Sequence, residues 1–260
     1  MTVSRIRSLR AAAAFVDRVG IAVLFPADAS VLPSLWQAVT GTRELTVFTT
    51  DERGKNVLTP ELDRVWALKS RLAEARLACV GKHLQNRVVL LSPAVLPMLY
   101  AQTGRQGCPD DFRELGAYSR LETELAEALF EEGPCTAPHL RRLVGVRDAS
   151  ATKRALEALQ RSLVVTQTGE VEQDRGWAAA AFDLVARRYA DRLGTLPDPE
   201  TARLKLGALI LRTAGELSAA DLCAAIRISR SDASSALDAL VDQGRARRRQ
   251  VSRFVLWTPA

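Results

Sequence analysis

The chain contains few of the residues that build metal centres and disulfide-stabilised scaffolds. Its 260 residues include four cysteines and two histidines, and no two cysteines form a Cys-x-x-Cys pair. Because a structural zinc site needs closely spaced pairs of ligands, the sequence predicts no metal site. The thiols are expected to be reduced and mostly buried, which favours a cytoplasmic location.

Long apolar runs and the common catalytic motifs are also missing. No apolar stretch approaches the roughly 20 residues that a membrane-spanning helix needs, so no membrane partner is expected. The basic N-terminus leads into an alanine run that Asp17 and Arg18 interrupt, which favours a helix over a secretion signal. The sequence has neither a P-loop nor a glycine-rich dinucleotide turn. His83 and His139 have no evident nucleophile or acid partner, so neither a catalytic residue nor a cofactor is predicted.

What the chain does have is a core-forming composition and an excess of positive charge. Hydrophobic residues make up 47% of the sequence, which is typical of a globular protein. The formal net charge of +6 weakly favours an anionic partner. Arginine greatly outnumbers lysine, as a GC-rich genome alone would explain, so the positions of the arginines say more than their number. Lys69, Lys82 and His83 could bind an anion, but a role in the scaffold is an equal alternative.

Residues 119–171 have the pattern of a winged helix-turn-helix. Apolar residues at helical spacing predict a first helix over residues 119–132, which stops at Gly133-Pro134. Thr136 is expected to cap a short second helix that Gly145 closes. The chain then continues into a third helix and a β-hairpin.

The third helix of this central unit is expected to begin at a Ser150 cap and to end near Arg161. A strand over residues 163–166 and a turn at Thr168-Gly169 would then form the hairpin. Three helices followed by a hairpin make a winged helix, whose third helix normally enters the DNA major groove.

A second copy of this pattern follows near the C-terminus. Residues 218–222 echo residues 136–140, and two leucines of the following helix recur at matching positions. A period this long indicates tandem domains and not a solenoid. The expected fold class is mainly α with small β-hairpins (α+β), arranged as three tandem winged helix-turn-helix units. These units are expected to span residues 1–104, 105–194 and 195–260.

Outside the two copies, apolar periodicity predicts further helices and short strands. The helices are expected over residues 3–18, 59–78, 177–192 and 200–214. The strands are expected over residues 45–48 and 88–91. Trp66 is expected on the buried side of the helix that begins at Thr59-Pro60.

Two groups of polar and cationic residues are candidates for DNA contact. Opposite the buried side of the central third helix lie Ser150, Arg154, Glu157 and Arg161, with Lys153 at the edge. Arg and Ser in the N-terminal half of such a helix suit phosphate and base-edge contacts. The C-terminal unit presents Asp238 and Asp242 there instead, which would repel phosphates, but its hairpin is rich in arginine. The predicted DNA-binding residues are Ser150, Lys153, Arg154, Arg161, Arg245, Arg247, Arg248, Arg249 and Arg253.

Several segments together resemble a known family. They are residues 18–25 after the first helix, residues 65–69, residues 91–97, and the central unit through Gly169 and Trp177. In these segments the chain resembles the AlkZ-like winged-helix proteins, which include bacterial DNA glycosylases that unhook alkylated bases and crosslinks. The resemblance implies three tandem winged helices, double-stranded DNA as the partner and a role near DNA repair.

The same resemblance implies a difference in chemistry. The family's glycosylases carry a Gln-x-Gln or Gln-x-Asp pair just after the Arg-x-Gly segment, and its polar side chains position the attacking water. In that register the pair falls at Val23 and Phe25, which can neither position water nor act as a base. The sequence therefore favours a DNA-binding protein without catalysis. Two alternatives stay open: a glycosylase with a substituted catalytic set, and a protein-interaction scaffold or transcriptional regulator.

Overall fold

A computed structural model describes residues 5–28, 30–84, 86–114, 118–172, 178–252 and 254–260 of the chain. Helices and antiparallel strands alternate along these residues, which confirms the expected α+β class. No helix in the described part of the chain is long and apolar enough to cross a membrane.

The first segment is a helical layer on an antiparallel hairpin. Its helices are α1 (Leu9–Val19), α2 (Leu35–Thr40), α3 (Pro60–Glu74) and α4 (Leu96–Tyr100). Its strands are β1 (Ile21–Val23), β2 (Phe48–Thr50), β3 (Asn56–Leu58), β4 (Cys79–Leu84) and β5 (Arg87–Leu91). Strands β2 and β3 form a separate small hairpin, whereas β1, β5 and β4 are neighbours in one sheet.

Four expectations for this segment are wrong in detail. The strand expected over residues 45–48 is instead β2 at Phe48–Thr50. Helix α1 begins only after Ser8, because the Ser8 hydroxyl accepts the Ala11 N–H and caps the helix there. Helix α3 ends at Glu74 and not at residue 78, because Arg76 adopts a left-handed conformation with φ of 55°, which stops the helix before strand β4 begins at Cys79. Trp66 is 43% exposed rather than buried.

The second segment contains the predicted three helices and a hairpin. Its helices are α5 (Arg120–Glu132), α6 (Ala137–Leu143), α7 (Ala149–Arg161), α8 (Val185–Arg188) and α9 (Ala190–Leu193). Its strands are β6 (Cys135–Thr136), β7 (Val165–Val171) and β8 (Ala179–Leu184). Ser119 forms a capping box with Glu122 at the start of α5, in the place where the sequence predicted a helix start.

The local details of this segment differ from the prediction at three places. The cap of α7 is Asp148 and not Ser150, because the Asp148 carboxylate accepts the Ser150 N–H at 2.8 Å. Gly169 lies inside β7 at a register shift and not in a turn. The expected helix over residues 177–192 is a strand through Leu184, since pairing with β7 overrides the helix preference of its alanines. Trp177 itself lies outside the described residues.

The third segment agrees closely with the prediction. Its elements are α10 (Pro199–Ala214), α11 (Ala219–Ile226), α12 (Arg230–Asp242), β9 (Ala246–Val251) and β10 (Phe254–Pro259). Ser218 caps α11 through a capping box with Asp221. Leu217 and Trp257 exchange backbone hydrogen bonds of 3.0 and 2.8 Å, which tie the residue before the α11 cap to the closing strand.

All three segments share one order of elements: a helix, a short strand or bridge, two helices and an antiparallel hairpin. In the first segment, the β2–β3 hairpin is inserted before the third helix. In the second, the hairpin is β7–β8 and the short strand is β6. The repetition that the sequence showed for two segments therefore extends, at the level of element order, to the first.

The hairpins of the first two segments belong to a single sheet of strand order β1-β5-β4-β7-β8-β6. Strands β4 and β7 join them in antiparallel pairing at Val80 and Gln167. In the first and second segments, the third helix of one packs on a hairpin strand of the other: α3 packs on β7, and α7 packs on β4. We call this arrangement the reciprocal packing; no local sequence pattern predicts it.

The third segment covers the first-segment part of this sheet. One face, through residues such as Val80 and Leu90, packs against α1, α2 and α3. The opposite face, through Cys79 and Leu91, joins a core shared with α4, α10 and α11. The sheet therefore packs against helices of the first segment on one face and against helices of the first and third segments on the other. Helix α7 contacts both β4 of the first segment and β7 of its own segment.

Candidate nucleic-acid interface

The N-terminal half of α7 forms an open polar surface. Ser150, Lys153 and Arg154 are exposed, because Thr152, Ala155 and Leu156 turn the other side of the helix into the core. The Arg154 guanidinium lies 3.9 Å from the Asp148 carboxylate. Both side chains are exposed to solvent, so this ion pair is weak. Lys153 has no ion-pair partner among the described residues. This half of the helix can therefore offer two cations to a phosphate backbone.

The C-terminal half of α7 is covered by strand β4. The Glu157 carboxylate accepts a hydrogen bond from Lys82 Nζ at 2.6 Å, with 17% of its side chain exposed. The buried Gln160 accepts the backbone N–H of Lys82 at 3.0 Å. The reciprocal packing thus removes half of the expected outward face of α7 from solvent.

Arg161, at the end of α7, belongs to a different surface from Lys153. Its guanidinium donates to Asn86 Oδ1 at 3.2 Å, and its carbonyl accepts from Arg227 at 2.7 Å. It lines a cleft of about 530 Å³ where all three segments meet, together with the buried Arg105. The structure therefore does not bring the cations predicted on α7 together on one face.

The C-terminal hairpin carries its arginines on both faces. Arg247 and Arg249 alternate with Arg248 along β9 and are all exposed. Arg248 lies opposite Trp257, 5.8 Å from the ring centroid, and its Nε is 3.9 Å from Asp238. Arg249 pairs with Glu216 at 2.7 Å. Arg247 is thus the arginine of β9 without an ion pair in the described chain.

The two remaining arginines of the predicted hairpin group differ in how far they can be placed. Arg245 is exposed just before β9 and donates to Gln243 Oε1 at 3.2 Å. Arg253 lies outside the described residues. Asp238 of α12, expected to repel phosphate, accepts the Trp257 indole N–H at 3.2 Å. Asp238 therefore anchors the hairpin, whereas Asp242 is exposed without an ion pair among the described residues.

Val23 and Phe25, where the resemblance placed a catalytic pair, are apolar positions in a packed environment. Val23 is 1% exposed in β1 and pairs with Val89. The Phe25 ring is 6.1 Å from that of Trp36 and 5.8 Å from that of Trp66. Neither side chain can orient water or move a proton.

A polar cluster that the sequence did not reveal lies beside Phe25. Glu170 of β7 accepts the Trp66 indole N–H at 2.9 Å and a hydrogen bond from Lys69 Nζ at 2.7 Å. Lys69 Nζ also lies 4.9 Å from the centroid of the Trp66 ring. Only the helical spacing of Trp66 and Lys69 is visible in the sequence; their partner comes from another segment.

The candidate anion group is part of the scaffold. Lys69 and Lys82 form the two ion pairs of the reciprocal packing. His83 is 1% exposed, with Nδ1 at 2.8 Å from the Gln160 carbonyl and Nε2 at 3.5 Å from Cys79 Sγ. Burial lowers the pKa of His83 to about 4 and raises the pKa of Cys79 to about 12. Among the residues described, no cluster of His, Cys, Asp and Glu could hold a metal ion.

Comparisons with known proteins agree with this geometry. The family model described as AlkZ related matches residues 6–227. The solved structure of the DNA glycosylase AlkZ from Streptomyces sahachiroi is similar over 96% of this chain, with a TM-score of 0.53 and 17% identity. This chain spans 64% of the length of that protein. At this identity the similarity shows a shared fold.

A second solved structure is more distant. The DIP2311 protein from Corynebacterium diphtheriae is aligned over 77% of this chain and 39% of its own, with 18% identity and a TM-score of 0.25. No curated protein matches the sequence.

Proposed function

The chain belongs to the AlkZ-related family, and we propose that it binds double-stranded DNA in a role linked to DNA repair, without excising bases. We interpret its three repeated segments as tandem winged helices, with units at residues 1–104, 105–194 and 195–260. The observation that carries the proposal is the exposed, cationic N-terminal half of α7, at the position where a winged helix meets DNA. The AlkZ structure that shares this fold is that of a DNA glycosylase, which supports DNA as the ligand.

Electrostatics suit this binding mode. Lys153 and Arg154 of α7, with Ser150 beside them, offer phosphate contacts and leave base edges within reach of the helix. Arg245 and Arg247 to Arg249 on the third segment add exposed positive charge. Each phosphate that a cation neutralises releases counterions, so affinity for DNA is expected to fall steeply with salt. Arg161 and Arg253 also remain proposed DNA contacts. The proposal depends less on them, because Arg161 lies on a different surface and Arg253 lies outside the described residues.

A salt series on duplex DNA tests the proposal. Wild type is expected to bind a random duplex at low salt, and the double variant Lys153→Ala/Arg154→Ala to bind it at least tenfold more weakly, with a shallower dependence on salt. Arg142→Ala together with Arg147→Ala is the matched control, because it removes two exposed cations that lie before α7. Absence of DNA affinity at low salt would favour the protein-interaction alternative. Equal losses in both double variants would show that the chosen face is wrong.

The absence of base excision rests on Val23 and Phe25. In the register that the family resemblance implies, these two residues stand at the positions of the water-positioning pair, and their side chains are apolar and packed. One observation favours the glycosylase alternative: the Glu170 carboxylate lies beside Trp66, which contacts Phe25, so a carboxylate is present next to this position. Its pairing with Lys69 supports a structural role instead.

A base-release assay on an alkylated duplex separates the two functions. The non-catalytic proposal expects no release above the uncatalysed rate. Release by wild type that Glu170→Gln abolishes, at a temperature where circular dichroism shows the variant folded, would replace it with a glycosylase that uses Glu170. Release that persists in Glu170→Gln would place the chemistry elsewhere in the chain.

A further inference from the structure

A pocket of about 260 Å³ lies beside the open half of α7. We call it the α7 pocket and define it by Lys82, Pro138, Arg141, Lys153, Leu156 and Phe182, which are among the residues that line it. Helices α6 and α7, strand β4 of the first segment and strands β7 and β8 all contribute to its wall. The second segment forms most of this wall, and the shared sheet adds Lys82 of the first segment to it.

The exposures of these residues separate a floor from a rim. Leu156 and Phe182 are 2% and 8% exposed and form an apolar floor, with the half-buried Pro138 beside them. Lys153 is exposed and Arg141 is half-buried, so the cations lie toward the solvent. The pocket offers buried apolar side chains at its floor and positive charge at its rim.

The charges at the rim are available to a ligand. Lys82 and Glu157, which also line the pocket, neutralise each other at 2.6 Å. Arg141 and Lys153 have no ion-pair partner among the residues that the structure describes. The net excess is therefore two cations over a small apolar cavity, together with the Gln167 side chain as a hydrogen-bonding group. An anion attached to a planar apolar group matches this arrangement.

We propose that the α7 pocket binds a nucleoside 5′-monophosphate group, either as a free nucleotide or as the phosphorylated 5′ end of a DNA strand. The base packs on Pro138, Leu156 and Phe182, and the dianionic phosphate meets Arg141 and Lys153. For the strand end the inference rests on the proposed DNA binding, whereas binding of the free nucleotide does not require it.

Two measurements distinguish these sources. The first compares the affinity for a duplex with a short 5′ overhang that ends in phosphate with that for the same overhang ending in hydroxyl. The second follows free dAMP by saturation-transfer NMR. The strand-end form predicts about tenfold tighter binding of the phosphorylated overhang, since a phosphate contact of this kind contributes a factor of that order. The free-nucleotide form predicts dAMP binding without a preference between the two overhangs.

Three variants assign either signal to the pocket. Ala149→Phe fills it from the exposed first residue of α7 without changing charge, and Arg141→Ala removes a rim cation. Both are expected to abolish the overhang preference or the dAMP signal. Arg142→Ala is the matched control, because Arg142 neighbours Arg141 but does not line the pocket. Circular dichroism checks that each variant is folded.

The proposal is overturned if wild type shows neither a phosphate preference nor a dAMP signal. It is also overturned if Arg142→Ala has the same effect as Arg141→Ala, or if Ala149→Phe has none. Failure of the proposed function looks different, because the protein would then bind neither duplex at low salt while the dAMP result could still be positive.

Discussion

Glu170→Gln tests whether the ion pair between α3 and β7 joins the first two segments. Lys69 is 6% exposed and Glu170 22% exposed at a separation of 2.7 Å, so the substitution leaves a buried ammonium without its counter-charge. Breaking a buried pair from one side costs about 3–5 kcal/mol, and partial exposure of Glu170 reduces this to roughly 2–4 kcal/mol. For a chain of this size the melting temperature is expected to fall by roughly 4–16 °C.

The measurement is thermal unfolding followed by far-ultraviolet circular dichroism, with tryptophan fluorescence as a second probe because Trp66 donates to Glu170. Glu157→Gln is the matched control. Its partner Lys82 is 29% exposed, so water can solvate the ammonium and the loss is expected to be about 1 kcal/mol. The variant Lys69→Met/Glu170→Gln is expected to recover part of the stability, since no unpaired charge remains.

Two results would refute this reasoning. One is a loss in Glu170→Gln no larger than that in Glu157→Gln, because burial would then not decide the cost. The other is a double variant whose loss equals the sum of the losses in Lys69→Met alone and Glu170→Gln alone, because the two side chains would then be energetically independent.

Three further predictions follow from the structure. Asp148→Ala is expected to lower stability by about 1 kcal/mol through loss of the α7 cap, whereas Ser150→Ala changes it little; thermal melts compare them, and the reverse order would contradict the assigned cap. Because burial lowers the pKa of His83 from 6.5 to about 4, folding favours its neutral form; the stabilisation is complete above pH 6.5 and is lost as the pH falls toward 4, by on the order of 3 kcal/mol. Urea titrations from pH 4 to 7 are expected to show a flatter pH dependence of stability for His83→Gln than for wild type; equal slopes for the two proteins would exclude His83 as the cause. Gly107→Ala places a Cβ 2.8 Å from the Leu193 carbonyl oxygen, whereas Gly104→Ala at a similar positive φ meets nothing within 4 Å, so Gly107→Ala is expected to cost about 2 kcal/mol more in thermal melts, and equal costs would argue against the contact.

Local signals in the sequence predicted the helices well where caps and stops act within one turn. Ser119 and Ser218 begin α5 and α11 through capping boxes, and Gly215 follows the end of α10. The same reasoning placed the cap of α7 two residues late, because Asp148 and Ser150 are both good caps and only the tertiary structure selects between them.

Pairing between distant residues was not predictable from a single sequence. The strand over Ala179–Leu184 has helix-forming alanines, and its partner β7 decides its conformation. The joining of β4 to β7 at Val80 and Gln167 leaves no local pattern at all. Both features depend on contacts that form only when the whole chain has collapsed.

In the candidate interface, too, local sequence signals predicted some features, and contacts between distant residues determine the others. Helical periodicity correctly placed Lys153 and Arg154 on the solvent side of α7. It could not show that Lys82 pairs with Glu157 and covers the far half of that helix, because Lys82 belongs to another segment. The α7 pocket was invisible for the same reason.

The pairing of β4 with β7 also determines the order in which the chain can fold during synthesis. Until Gln167 has left the ribosome, β4 has β5 on one side and an unpaired row of backbone groups on the other. An exposed edge strand of this kind can pair with strands of other chains, which makes the nascent intermediate prone to aggregation. Completion of the sheet must also wait for a contact between residues far apart in sequence, and the entropic cost of closing that loop, which grows with the logarithm of its length, slows folding. Helices α1 and α3 can already cover one face of the early strands at this stage, but the backbone edge of β4 stays open until β7 pairs with it.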